Sequence, residues 1–260
     1  MKSLEKLQST WEDFARIDPM WSICSDPEKR NRKWTREEFF ATGRNEIKVV
    51  LEFAAGLGLK LDGNAPVLDF GCGVGRLTQA LAPHFPECVG VDISPTMIAL
   101  AKEFGQELPQ CRFLLNEQDH LAGLQDGYFG FVYCSIVLQH MERKYSSRYI
   151  AEFLRALKPG GVLVFQLPDH WRASLWRKLR VRLALRARLQ AVLGKDESHA
   201  MEMHCIQESA VRNLVQENGG RVVDVRLTNS TDPAFCGDLR YLAREPEYGY
   251  VSKQYCVVKR

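Results

Sequence analysis

The sequence predicts an α/β fold, a mostly parallel sheet with helices on both faces, and three observations carry that prediction. First, Val67 to Asp92 reads VLDFGCGVGRLTQALAPHFPECVGVD: an apolar run, a glycine turn, an amphipathic helix and a second apolar run. Second, short apolar runs go on alternating with helical stretches as far as Leu167, the pattern of strands joined by crossover helices. Third, the first run carries Asp69 just ahead of the glycines and the second closes on Asp92, twenty-one residues after Gly71. Strand, glycine turn, helix, strand and terminal acid make half of a nucleotide-binding unit. The glycines let the backbone turn tightly and approach a ligand where a Cβ would collide.

The elements follow in order. Leu4, Leu7, Trp11 and Phe14 recur at helical spacing, and Asp18-Pro19 ends that helix. Thr35 to Glu38 has the form of a capping box and opens a helix carrying Phe39, Phe40 and Arg44. Ile47, Val50, Leu51, Ala54 and Leu57 mark another, stopped by Gly56 and Gly58. After Asp92, Ser94-Pro95 caps a helix bearing Met97, Leu100 and Phe104. Cys111 to Asn116 and Phe129 to Cys134 read as strands three and four. A helix over Tyr149 to Leu157 is broken by Lys158-Pro159-Gly160-Gly161 before strand five, Val162 to Leu167. Ala210 to Gln216 returns to helix, and Val222 to Leu227 and Tyr255 to Val258 are the closing strands. Residues 1–45 form a helical cap or lid, and 46–260 the main domain, with 168–206 as a helical insert.

Composition narrows the class. At 260 residues, 45% apolar and 26% charged, the chain suits one sizeable globular domain with an appendage. A net charge of +3 gives no general argument for nucleic acid or membrane. Eight cysteines without a C-x-x-C pair suit a reduced, cytoplasmic protein, and the His and Cys spacing supports no metal. No signal core or spanning run is present.

The run Asp69 to Gly75 is acid-x-G-x-G-x-G; a dinucleotide fingerprint would need glycine where Arg76 stands. It resembles motif I of the class I S-adenosylmethionine-dependent methyltransferases. SIVLQHM at 135–141 and LRALKPGGVLVF at 154–165 are similar to segments of the small-molecule members, which tailor natural products and glycans. The sequence departs from the family pattern at Gly130, where an Asp usually starts strand four, and in having Asn116 rather than Asp after strand three. The resemblance implies a Rossmann-like seven-stranded sheet whose last strand is antiparallel, with the N-terminal helices as a lid. It implies S-adenosylmethionine as cofactor and S-adenosylhomocysteine as product. Asp69, Gly71, Cys72 and Gly73 would border the methionine part, Asp92 the ribose, Ile93 and Met97 the adenine faces, and Glu117 and Gln118 its edge. Arg44 would reach the methionine carboxylate, and Cys134, Ser135 and Gln139 would complete the set.

Ligands of such sheets sit beyond the carboxyl ends of the strands, where Asp69, Asp92, Asn116, Cys134-Ser135 and Pro168 to His170 converge. Methyl transfer mainly needs alignment and exclusion of water, helped by a base when the acceptor is a hydroxyl or protonated amine. His140, directly after strand four, is the first candidate base and His204 the second; Asp169 and His170 are further ones. The acceptor expected is a small organic, sugar or lipid-linked molecule, methylated on O or N. Protein or RNA methylation, or a non-catalytic S-adenosylmethionine-binding partner subunit, are the alternatives, and no appended basic module favours nucleic acid. From Trp171 to Leu193 there are seven Arg or Lys and no acid. That insert reads either as a solvated helix over the core or as a lid contacting an anionic substrate or lipid headgroups.

Overall fold

The computed structural model describes residues 2–173, 202–232 and 235–260. Its seven strands are β1 (Val67–Phe70), β2 (Cys88–Asp92), β3 (Cys111–Leu115), β4 (Phe129–Cys134), β5 (Leu157–Arg172), β6 (Gly220–Thr228) and β7 (Gly249–Lys259). They form one sheet in the order β3-β2-β1-β4-β5-β7-β6. The pairs from β3 across to β5 are parallel, and β7 runs antiparallel between β5 and β6. The chain winds outward from β1 through β2 to β3, then returns to place β4 on the other side of β1. Strand order therefore reverses beyond Phe70 and Cys134, which opens a crevice there.

Alternation along the strands feeds two cores. Val67, Phe131 and Tyr133 face one side, Leu68, Val132 and Cys134 the other. Helices α3 (Arg36–Gly56) and α4 (Arg76–Leu81) bring Ile47, Val50, Leu77 and Leu81 to the first face. The second is covered by α6 (Arg143–Ala156) and α7 (Glu208–Glu217) through Tyr149, Phe153, Val211 and Val215. Helices α1 (Lys2–Ile17), α2 (Pro19–Ile23) and α5 (Pro95–Phe104) border the crevice. Among the described residues, no helix is long and apolar enough to cross a membrane.

Two stretches differ from the sequence expectation. The two helices expected between Thr35 and Leu57 are one, 21 residues long, opened by the reciprocal Thr35–Glu38 capping box. Gly43 inside it does not break the helix; it lets α3 lie against α4. A Cβ there would stand 2.5 Å from the carbonyl oxygen of Arg76. β5 extends past Leu167 to Arg172 because β7 continues to pair with it, through a bulge between Pro168 and His170. Asp169 and His170 are thus drawn along the sheet instead of turning into the crevice, and Asp169 Oδ1 accepts from the Glu208 N–H at 2.6 Å, at the start of α7. At Gly130, a Cβ would meet that of Ala65 at 2.6 Å, so no acid fits. The basic stretch expected to form a lid lies, from residue 174 to 193, outside the described residues.

Gly43→Ala separates propensity from packing. In a free helix alanine is favoured by ~1 kcal/mol over glycine, but here the added methyl meets backbone. We expect a loss of about 1–2 kcal/mol in urea unfolding, in the range for overpacked cores; a stabilised variant would show that α3 and α4 are not held this close.

Candidate functional site

The glycine loop leaves β1 with Gly71, Gly73 and Gly75 at φ of 77°, 53° and 85°, the left-handed region. Gly71 and Cys72 donate to the carbonyl of Val91 at 2.7 and 3.0 Å, so the loop folds back over the end of β2. Asp92 then takes one N–H on each carboxylate oxygen: Gly73 on Oδ2 and Ser94 on Oδ1, both at 2.9 Å. Burial pushes its carboxyl above the usual range, opposed by those N–H groups of Ser94 and Gly73. Asp69 lies one layer deeper. Thr78 Oγ1 donates to its Oδ2 at 2.6 Å, and burial raises it to about 7 against the Thr78 hydrogen bond and the charge of Arg76.

A cavity of about 310 Å³ opens over this loop. Its floor is Gly71, Cys72, Gly73, Asp92, Ile93, Met97, Asn116 and Ser135. Leu4, Leu7 and Trp11 of α1, with Ser22, Ile23 and Ser25, form a roof, and Met203, Ser230, Thr231, Asp232 and Phe235 close the far side. The roof is fixed by Glu12, whose carboxylate accepts from Ser94 Oγ at 2.7 Å and from the Thr96 N–H and hydroxyl at 3.1 and 2.5 Å. Ile23 reaches Gly73 so closely that a Cβ on that glycine would stand 2.5 Å from its Cδ1.

Beyond β4 the chain makes an uncommon turn, with the β-branched Ile136 at φ 58°. Its N–H donates to Gln166 Oε1 at 3.2 Å. Gln166 Nε2 donates to Gln139 Oε1 at 3.1 Å and to Ser252 Oγ at 2.7 Å. With its oxygen so engaged, Gln139 turns its amide nitrogen to His140 Nε2, 3.1 Å away. An amide nitrogen only donates, so Nε2 accepts and Nδ1 carries the proton toward the Glu202 carbonyl at 3.2 Å. Burial lowers the His140 pKa to about 4, and the ring is a neutral tautomer with Trp11 edge-on at 5.4 Å between centroids.

Of the residues expected at the site, Gly71, Cys72, Gly73, Asp92, Ile93, Met97, Ser135, Gln139 and His140 line the cavity. The structure places the others elsewhere. Asp69 is behind the loop, and Cys134, by strand alternation, points into the core. Glu117 and Gln118 are exposed beyond the edge strand β3, with Glu117 accepting from Gln8 at 2.5 Å. Arg44 is on the solvent side of α3, paired with Glu37 at 2.5 Å. His204 donates its backbone N–H to the Gln139 carbonyl at 2.7 Å, but its ring is outside the cavity, 3.8 Å from Glu202. Arg76, Trp11, Tyr149, Ser230 to Asp232 and Phe235 also line the cavity, beyond the residues the sequence points to. Arg76 is a buried partner of Glu46 at 2.7 Å, and its guanidinium also donates to Thr42 at 3.3 Å. The one sequence signal for the loop was TNSTDPAF, a turn-rich run directly after a strand.

Residues 68–165 match the family model described as Methyltransferase domain. Trans-aconitate 2-methyltransferase of Variovorax paradoxus (strain S110) is 38% identical over 118 residues, 45% of this chain and 43% of that protein. Carboxy-S-adenosyl-L-methionine synthase of Chromohalobacter salexigens is 37% identical over 114 residues, 40% of this chain and 42% of that one. The chain thus spans less than half the length of these curated relatives. Magnesium protoporphyrin IX methyltransferase from Synechocystis PCC 6803, solved with bound SAH, superimposes with a TM-score of 0.62 over 98% of this chain and 99% of that chain, at 16% identity. That likeness shows a shared fold.

The tautomer of His140 has a consequence for stability. Its folded-state pKa of about 4 lies below the unfolded value of 6.5, so the buried neutral ring supports the fold above pH 6.5, and that support is lost as pH falls toward 4. Between those limits the native protein should lose about 3 kcal/mol more stability than a His140→Gln variant, read by denaturant unfolding at each pH. Parallel pH curves for the two would mean that His140 is not buried neutral.

Proposed function

We propose that this chain, whose residues 68–165 carry a methyltransferase domain, transfers the methyl group of S-adenosylmethionine to an oxygen or nitrogen of a small organic acceptor. The observation that carries the proposal is a cavity joining the glycine loop and Asp92 to a separate wall made by α1, Ser22, Ile23 and Ser25 with Ser230 to Asp232 and Phe235. The residues fit the cofactor. A carboxylate has about four acceptor positions, and the backbone N–H groups around Asp92 do not use them all, which leaves room for a ribose hydroxyl. Ile93 and Met97 offer apolar faces for a purine and Asn116 an amide for its edge. Gly71 to Gly73 let the backbone come close to the methionine part.

Bound there, S-adenosylmethionine supplies an activated methyl on a positively charged sulfur. Positive charge disappears from the sulfur as the methyl leaves, so the protein gains most by aligning the acceptor and keeping water out. The roof does the second, through Leu4, Leu7 and Trp11. For the first, Gln139 is held in one orientation by Gln166 and His140 and lines the cavity as a fixed polar group. His140, with Nε2 engaged and its pKa near 4, acts through Gln139 as a positioning residue and is a poor proton acceptor at neutral pH. Hydroxyls of Ser22, Ser25, Ser230 and Thr231 among Trp11, Tyr149 and Phe235 suit a small acceptor with both polar and apolar parts. Trans-aconitate and magnesium protoporphyrin IX, named for two similar proteins, are small molecules as well.

The test is release of S-adenosylhomocysteine from S-adenosylmethionine in the presence of a panel of small hydroxylated and amino acceptors. We expect acceptor-dependent release, lowered by His140→Ala and Gln139→Ala to a similar degree, each by less than the ~10²–10⁴-fold that removal of a general base costs. Release stimulated by RNA or protein but by no small molecule would overturn the acceptor class. A far larger loss in His140→Ala than in Gln139→Ala would restore His140 as the base.

A further inference from the structure

Cys24 and Cys236 come from distant parts of the chain and meet beside the cavity. Cys24 ends α2 between the cavity-lining Ile23 and Ser25, and Cys236 follows the cavity-lining Phe235. Both pack in the apolar cluster of Ala15, Trp34, Phe39 and Val74, where each thiol shifts the titration of the other. Thr42 braces the pair from α3. Its Oγ1 is 3.8 Å from Cys24 Sγ, and a Cβ on Gly237 would stand 2.7 Å from its Cβ, so the loop backbone is pressed against the same residue. The neighbouring Cys236 thiol, helped by the charge of Arg76, lowers the Cys24 thiol below its ordinary value. That lowering favours the thiolate, the reactive form.

We propose that Cys24 and Cys236 are a thiol-oxidation site, forming a disulfide that ties the N-terminal segment to the loop after β6 and locks two walls of the cavity together. With hydrogen peroxide as oxidant, the thiolate of the pair attacks the O–O bond and becomes a sulfenic acid, and the oxygen that leaves takes up a proton as water. The second thiol then displaces the sulfenic oxygen as a second water and forms the S–S bond. Two thiols and one peroxide give one disulfide and two waters. Cys88 and Cys111 provide an internal comparison, because they also stand side by side, as register partners on the paired strands β2 and β3.

The experiment treats the reduced full chain with hydrogen peroxide, maps linked peptides by mass, and follows amide exchange over residues 20–25 and 229–232. A Cys24–Cys236 link should dominate, revert with dithiothreitol and be absent from C24A and C236S. Exchange in both segments should slow on oxidation by roughly tenfold or more in the native chain, with no slowing in either variant. A Cys88–Cys111 link in its place would overturn the proposal. So would sulfinic acid on Cys236 without any cross-link, or a cross-link that leaves exchange unchanged.

Discussion

The carboxylate of Asp92 is the point on which the site depends. One oxygen holds the Gly73 N–H and with it the glycine loop; the other holds the Ser94 N–H and with it the start of α5. Two residues on, Glu12 of α1 fastens to Ser94 and Thr96, so the roof takes its position from the same corner. Loop, helix and roof are thereby placed relative to one half-buried carboxylate. That charge is costly to bury, which is why the carboxyl is pushed upward, and backbone N–H groups are what make it tolerable. A ribose reaching the remaining lone pairs would add to those donors and further favour the ionised form.

A second buried charge system holds the opposite face in register. Arg76 pairs with Glu46, whose other oxygen accepts from Tyr133 at 2.8 Å, and this joins α4, α3 and β4. Buried pairs of this kind contribute little net stability, since desolvation offsets their attraction. Their effect here is orientation, for the same contact seats Gly43 on the Arg76 carbonyl. The uncharged chain Ile136–Gln166–Gln139–His140, extended through Ser252 to Thr228, does for the far side of the cavity what Asp92 does for the near side. Each member has a partner, so the group can be both buried and specific.

What was legible in the sequence was local. Asp69 to Gly75 and Asp92 are tied by backbone geometry within one strand-turn-helix-strand unit, and the cavity floor follows from them. The Thr35 and Ser94 caps were readable for the same reason, whereas the antiparallel last strand of the seven followed from the family resemblance. What failed depended on direction in space. Arg44 is on a helix beside the loop, but on its outer side; Cys134 ends the right strand, but with its side chain turned to the core. Gln118 and Glu117 follow an edge strand into solvent. The wall of Ser230 to Asp232 and Phe235 is brought to the site by β7 inserting between β5 and β6, a pairing between segments that no short-range pattern encodes. Asp169 and His170 were misplaced because β7 lengthens β5.

The central claim is that Asp92 holds both the loop and the ribose of S-adenosylmethionine. Asp92→Asn tests it by calorimetric titration with S-adenosylmethionine, alongside thermal unfolding of the free protein. The amide keeps the shape but removes the charge, and its NH₂ can no longer accept from a backbone N–H. Hydrogen bonds to a charged group contribute about 1.5–3 kcal/mol, so affinity should fall roughly tenfold or more, with a lowered melting temperature. Unchanged affinity in a folded variant would contradict the assignment of the ribose to Asp92, and no binding to the native chain would contradict the whole account.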